Sequence, residues 1–177
     1  MSFVEDALKF HAEHNGMLAV ASKVPLNNRE DLALAYTPAL PNPAKPLREN
    51  KELSFEYTCR GNTVAIVSDG TRVLGLGDIG PEAAMPVMEG KAVLFKTFGD
   101  VDAIPICIDT KDPEEIIETV RRLQPTFAGI NLEDFLRRNA MKLKTACVKS
   151  ATFRYSTTTS TVLPLRAFLP LWALCVM

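Results

Sequence analysis

Four groups of residues in this chain have the types and spacing to do chemistry. Gly75-Leu76-Gly77-Asp78-Ile79-Gly80 matches G-x-G-x-x-G, with Asp100 some way downstream in the position an acidic residue takes in a dinucleotide site. Pro81 directly follows the third glycine, and Asp100 stands in a Gly-Asp turn instead of at a strand end. Three readings therefore stand side by side: a cofactor loop, a turn that places a small anion at a helix N-terminus, and glycines that serve the turn alone. Lys91 follows Gly90 in an otherwise apolar stretch, residues 85–95. Burial lowers a lysine pKa and makes the amine usable as a general base; a surface lysine whose stem covers apolar area is the competing reading. Tyr36 follows Leu32-Ala33-Leu34-Ala35 and is an acid catalyst or a core or rim tyrosine on the same terms. Glu133-Asp134 are adjacent carboxylates at a strand end, suited to a hard divalent cation or to a solvated loop. His11 and His14, three apart, lack further ligands and read as surface residues.

The elements that must position these groups follow from periodicity and capping signals. Residues 4–14 have helical apolar spacing, stopped by Asn15-Gly16. Residues 17–24 are expected to form a short strand. Asn28 caps a helix over residues 29–36, with Glu30 and Asp31 in the first turn, where the helix dipole favours them. Pro38, Pro41, Pro43 and Pro46 predict an extended connection, and residues 47–58 a return to helix. Residues 62–68 read as a buried strand, Asp69-Gly70 as a hairpin turn, and residues 72–76 as the next strand. A long helix over 81–98, a strand over 101–108, a helix opened by Asp112-Pro113-Glu114-Glu115 and running to Leu123, and a strand over 127–131 complete the pattern. Strands alternating with helices predict an α/β fold: a layered, largely parallel sheet flanked by helices.

Composition divides the chain at Asp134. The first 134 residues hold all 21 acids and 13 of the 20 bases, a net −8; residues 135–177 hold no acid and seven bases. Those bases form no cluster on a regular face, so nucleic acid is not an expected partner. The four cysteines have neither CxxC nor framework spacing and read as reduced thiols. The N-terminus lacks the basic and apolar regions of a signal peptide. The apolar run 162–177, broken by Pro164, Arg166 and Pro170, is shorter than the ~20 residues of a membrane span. The expectation is a cytoplasmic protein with no membrane partner.

Together, five segments resemble the N-terminal catalytic domain of malic enzyme, the small prokaryotic type. They are Asp31-Leu-Ala-Leu-Ala-Tyr36-Thr-Pro38, Arg60-Gly-Asn-Thr-Val-Ala-Ile-Val-Ser-Asp-Gly-Thr71, Val73-Leu-Gly-Leu-Gly-Asp-Ile-Gly80, Pro86-Val-Met-Glu-Gly-Lys91-Ala-Val-Leu-Phe-Lys96 and Pro125-Thr-Phe-Ala-Gly-Ile-Asn-Leu-Glu-Asp134. The resemblance covers residues 5–134. It implies that Tyr36 is the general acid, Lys91 the general base, and Glu133 and Asp134 two ligands of Mg²⁺ or Mn²⁺. It also implies malate as substrate, a homodimeric assembly, and NAD or NADP bound by a second domain, so that the Gly75–Gly80 loop is not the dinucleotide fingerprint. Ala39 departs from the family, which usually has Gly after Tyr-Thr-Pro, and Arg72 matches an arginine that holds the substrate carboxylate in larger malic enzymes.

After the Glu-Asp pair the family continues Ile-Ser-Ala-Pro-x-Cys-Phe/Tyr-Glu-Ile-Glu and later His-Asp-Asp-Gln-His-Gly-Thr-Ala, and neither segment is present. Residues 135–144 can be coded TTT CTG CGC CGA AAT GCT ATG AAA TTG AAA. With one A in front, the same bases read Ile-Ser-Ala-Pro-Lys-Cys-Tyr-Glu-Ile-Glu. Residues 157–164 can be coded ACG ACG ACC AGC ACG GTA CTG CCN, and a C from the codon of Ser156 shifts them to His-Asp-Asp-Gln-His-Gly-Thr-Ala. The expected organisation is thus a substrate and metal domain over 1–134 and an out-of-frame, poorly structured tail over 135–177. A third metal carboxylate is lost with the frame, and the chain is expected to be inactive by itself. Two rivals remain: a non-catalytic dicarboxylate-binding or subunit-interaction module, and a small dehydrogenase that uses Gly75–Gly80 for its cofactor.

Overall fold

A computed structural model describes residues 2–136, 139, 142 and 154–157, the last four as backbone only. The chain divides into two units, one formed by residues 1–18 and 62–177 and the other by residues 19–61.

The larger unit opens with α1 (Phe3–His14), started by a capping box between Ser2 and Glu5 and stopped by Asn15 in the left-handed conformation. Its body alternates β1 (Thr63–Ser68), α5 (Pro81–Gly99), β2 (Asp102–Cys107), α6 (Pro113–Leu123) and β3 (Gly129–Leu132), followed by β4 (Arg154–Thr157). The described strands form one parallel sheet in the order β2-β1-β3-β4. The expected α/β fold, a largely parallel sheet flanked by helices, is what the chain adopts.

Every residue of β1 is buried, as expected for a central parallel strand covered on both faces. Its alternate side chains serve two cores. Ile66 packs with Met88 and Ala92 of α5 and Ala103 of β2. Ala65 and Val67 pack with Ile116, Ile117 and Val120 of α6 and with Ile130 and Leu132 of β3. The long helix begins with Pro81, whose missing N–H falls among the groups a first turn leaves unused. In α6 the Asp112 side chain accepts from the Glu114 N–H at 2.8 Å, so its start was legible in the sequence.

Four sequence expectations are corrected. Residues 72–76 form no strand and no hairpin with β1, because both edges of β1 are taken by β2 and β3. Instead Val73 and Gly77 exchange backbone hydrogen bonds of 2.9 and 2.8 Å and close a small loop on itself. Residues 17–24 are not a strand either. The Met17 N–H donates to Glu89 Oε2 at 3.2 Å, and the Ser22 hydroxyl donates to the Val24 carbonyl at 2.6 Å and accepts from its N–H. Such local bonds compete with sheet pairing.

The other two corrections lie in the smaller unit. The predicted helix after Asn28 is present as α2 (Arg29–Ala35), with Asn28 Oδ1 accepting from Glu30 and Asp31. The proline-rich stretch expected to be extended folds as α3 (Pro41–Glu49). Pro41 and Pro43 fall in the first turn, where N–H groups have no intrahelical partner, so only Pro46 forfeits a helical bond. The helix expected over 47–58 is broken at Asn50, whose side chain accepts from the Glu52 N–H at 3.1 Å and starts a 3₁₀ turn over Lys51–Leu53. Helix α4 (Ser54–Tyr57) follows, and the Arg60 guanidinium lies 4.1 Å over the Phe55 ring.

The strand β4 falls within the segment expected to be poorly structured; the rest of that expectation lies almost wholly outside the described residues. Among the described residues no helix is long and apolar enough to cross a membrane, and the run 162–177 lies outside them.

Candidate active site at the carboxyl ends of β1 and β3

In an open parallel sheet, ligands bind beyond the carboxyl ends of the strands where the strand order reverses. Here that place lies between β1 and β3: β1 leads through α5 to β2 on one side, and α6 carries the chain back to β3 on the other. Ser68-Asp69 leave β1 at this point, and Glu133-Asp134 leave β3 beside them.

Lys91, on α5, forms a short hydrogen-bonded ion pair with Glu133 Oε2. The same oxygen accepts from Asn131 Nδ2 at 2.9 Å. Asn131 and Glu133 are two residues apart in an extended strand end, so both face the same side of the sheet; Asn131 lies opposite Ile66, the β1 residue that packs on α5. This explains how an amine on a helix and a carboxylate 42 residues away meet. Both side chains are mostly buried, Lys91 at 19% and Glu133 at 12% exposure, so the surface-lysine reading fails and so does the solvated-loop reading of Glu133.

Asp134 has a left-handed backbone, φ 55°, uncommon for a residue other than glycine. Burial holds its carboxyl above the usual aspartate range; the neighbouring Glu133 and Asp69 carboxylates push the same way, and Lys91 opposes them. A half-buried Asp134 carboxyl held above its usual range beside a second carboxylate is suited to a hard divalent cation, whose charge would relieve the cost. Carboxylate oxygens are the donor type that Mg²⁺ or Mn²⁺ takes. Among the described residues no cluster of three or more His, Cys, Asp or Glu side chains forms a complete metal cage.

Sequence reasoning missed Asp69 and took it for a hairpin residue. It is fully buried. Its Oδ1 accepts from the Thr71 N–H at 3.0 Å and the Thr71 hydroxyl at 2.6 Å, and its Oδ2 has no hydrogen-bond partner. Burial raises its pKa against the Thr71 bonds. The signal was available in the Asp-Gly-Thr spacing, which suits an Asx turn as well as a hairpin. Gly70 between them is obligatory: φ is +65°, and a Cβ would lie 2.2 Å from the Gly80 carbonyl oxygen.

The Gly75–Gly80 loop does not have the packing of a dinucleotide fingerprint, whose third glycine permits close helix–strand contact. A Cβ on Gly75, Gly77 or Gly80 would meet nothing within 4 Å. Asp100 caps the C-terminus of α5 and accepts from Lys96 Nζ at 2.6 Å, and Asp78 is paired with Lys111 at 2.7 Å. The cofactor-loop reading fails on this packing, and Gly75, Gly77 and Gly80 all take the positive φ that a turn requires. His14 Nδ1 lies 2.8 Å from the carbonyl of Phe10 on its own helix, consistent with a surface role.

Tyr36 belongs to the smaller unit. It terminates α2, donates its N–H to the Leu32 carbonyl and accepts at its own carbonyl from Leu40 N–H. Its side chain is exposed.

Residues 15–116 match the family model described as malic enzyme, N-terminal domain, which is more than half of the chain. The chain belongs to the malic enzyme family. The matched span contains Tyr36 and Lys91 and stops short of Glu133-Asp134. The chain is 54% identical over 139 residues to a bifunctional malic/malolactic enzyme of Bacillus subtilis, covering 78% of this chain and 34% of that protein. It is 56% identical over 119 residues to an NAD-dependent malic enzyme of Geobacillus stearothermophilus, covering 67% and 25%. The crystal structure of a malic enzyme from Pyrococcus horikoshii superposes with a TM-score of 0.84 at 42% identity, over 89% of this chain and 37% of that one. The chain thus spans between a quarter and two fifths of the length of these malic enzymes.

Proposed function

We propose that this chain carries the substrate- and metal-binding part of a malic enzyme, which converts malate to pyruvate and CO₂ with reduction of NAD or NADP. The observation that carries this reading is the Lys91–Glu133 pair beside Asp134 at the carboxyl ends of β1 and β3. Glu133 and Asp134 would hold Mg²⁺ or Mn²⁺, which supplies a Lewis acid that stabilises negative charge on the substrate oxygens when bound. Lys91 in its neutral form is the general base: its Nζ takes the proton of the C2 hydroxyl while hydride leaves C2 for the nicotinamide. Tyr36 is the general acid and returns a proton to C3 once CO₂ has left. Asn131 keeps the Glu133 carboxylate turned toward Lys91. NAD or NADP is bound by a further domain, in keeping with the fraction of its relatives that this chain spans. The setting is cytoplasmic and the assembly a homodimer, without nucleic acid or membrane partners.

The 177 residues alone are expected to give no malate-dependent reduction of NAD or NADP. Inserting one base after the codon of Asp134, with the remainder of the gene present, should restore Ile-Ser-Ala-Pro beside the metal pair and yield a product that decarboxylates malate. A corrected frame that encodes neither this segment nor His-Asp-Asp-Gln-His-Gly-Thr-Ala refutes the out-of-frame tail. Turnover by the 177-residue chain that is lost in Lys91→Ala refutes the two-domain reading. Malate binding without turnover after repair would favour a dicarboxylate-binding module.

A further inference from the structure

The left-handed backbone at Asp134 is held from one side by the short segment that follows β1. The Arg72 N–H donates to the Asp134 carbonyl at 2.9 Å. The Leu136 N–H donates to the Thr71 hydroxyl oxygen at 3.0 Å. On the other side of the turn the Glu133 N–H donates to the Val67 carbonyl at 2.9 Å. A strained backbone persists only where its surroundings over-determine it, and these three bonds bracket the strained residue.

Thr71 is buried, and its hydroxyl has one proton and two lone pairs. The proton is committed to Asp69 Oδ1 at 2.6 Å, which leaves a lone pair for the Leu136 N–H. Asp69 in turn is fixed by the Thr71 N–H at 3.0 Å. The Asp69 side chain thus sets the rotor of Thr71, and Thr71 holds the backbone just past the carboxylate pair. Because the bond goes to a backbone N–H, it does not depend on which side chain stands at position 136.

We propose that Thr71, oriented by Asp69, is a positioning residue that fixes the Asp134 carboxylate for metal binding through its hydrogen bond to the Leu136 amide. The inference rests on the reading of Glu133 and Asp134 as metal ligands. Partners that orient a ligand in this indirect way are typically worth about 10–100-fold in metal affinity.

The test uses the 177-residue chain, with Mn²⁺ as the probe and two readouts. In wild type the Leu136 amide is expected to be protected from hydrogen exchange. Thr71→Val, which keeps the shape and removes the hydroxyl, should lose that protection and weaken Mn²⁺ binding by about tenfold or more, while the Ile130 and Leu132 amides of β3 stay protected. Thr71→Ser should restore both. Unchanged Leu136 protection in Thr71→Val overturns the latch. Lost protection with unchanged Mn²⁺ affinity overturns the positioning role. A wild-type chain that takes up no Mn²⁺ overturns the positioning role and shows that Glu133 and Asp134 do not hold the ion without the third carboxylate, and is told apart from the other failures because the Leu136 readout still responds. If the β3 amides also lose protection in Thr71→Val, the Thr71→Ser chain decides: failure to recover Leu136 protection and Mn²⁺ binding there overturns the proposal.

Discussion

The Lys91 ammonium on α5 and the Glu133 carboxylate past β3 form an ion pair across 42 residues of chain, with Asn131 donating to the same carboxylate oxygen. Neither partner is well exposed, so removing one strands the other in a poorly solvated place. Glu133→Gln is expected to destabilise the chain by about 1–3 kcal/mol in urea denaturation. The double variant Lys91→Met with Glu133→Gln should cost less than the two single changes together, by about 0.5 kcal/mol or more. Additive single effects would show that the two groups do not depend on each other.

In the frame-repaired enzyme, Lys91→Ala and Tyr36→Phe should each slow turnover by about 10²–10⁴-fold, the range for a lost general base or acid. They should do so at different steps. Lys91→Ala is expected to suppress NAD(P)H formation itself. Tyr36→Phe should leave the hydride step comparatively intact and slow the proton transfer to C3, which stopped-flow absorbance at the nicotinamide band and solvent isotope effects separate. Identical effects on both steps would remove the assignment of two distinct roles.

Asp69 and Asp134 both have pKa values raised above 3.8 by burial. For each, the folded chain binds its proton more tightly than the unfolded chain, so the stability contribution is fully present below the unfolded pKa and is lost as pH rises through the raised, folded value. The contribution of these two groups should therefore fall as pH climbs from about 4 upward. Asp69→Asn keeps an oxygen for Thr71 and cannot ionise, so its urea midpoint should fall less steeply over that window than that of the wild type. Parallel pH profiles for the two chains would remove Asp69 as a source of this dependence.

Gly70 and Gly75 both have positive φ, but their surroundings differ. Gly70→Ala drives a Cβ to 2.2 Å from the Gly80 carbonyl oxygen, whereas Gly75→Ala meets no atom within 4 Å. The expected cost at Gly75 is about 1–2 kcal/mol, from backbone strain alone. At Gly70 overpacking adds to that strain, for about 3 kcal/mol or more. Thermal unfolding of the two variants checks the order, and a more damaging Gly75→Ala would contradict the close approach at Gly70.

Local signals were enough for the elements that end in caps or repeat with a clean period. Asn15 stops α1, Asn28 starts α2, Asp112-Pro113 starts α6, and the apolar run into Ser68 is the central strand. The types of Tyr36, Lys91, Glu133 and Asp134, with the segments around them, were sufficient to suggest both the chemistry and the family. What the sequence could not decide depends on which groups compete for the same partners. Residues 72–76 have the composition of a strand, yet β2 and β3 already occupy both edges of β1. The prolines at 41 and 43 look like helix breakers until their place in the first turn is known. Whether Lys91 is a surface amine or the partner of Glu133 was decided only when α5 packed on the face of the sheet that carries Asn131 and Glu133. Nor could it place Asp69 and Thr71. Their hydrogen bonds run to each other and to a backbone amide 65 residues from Thr71, a separation that no local pattern records.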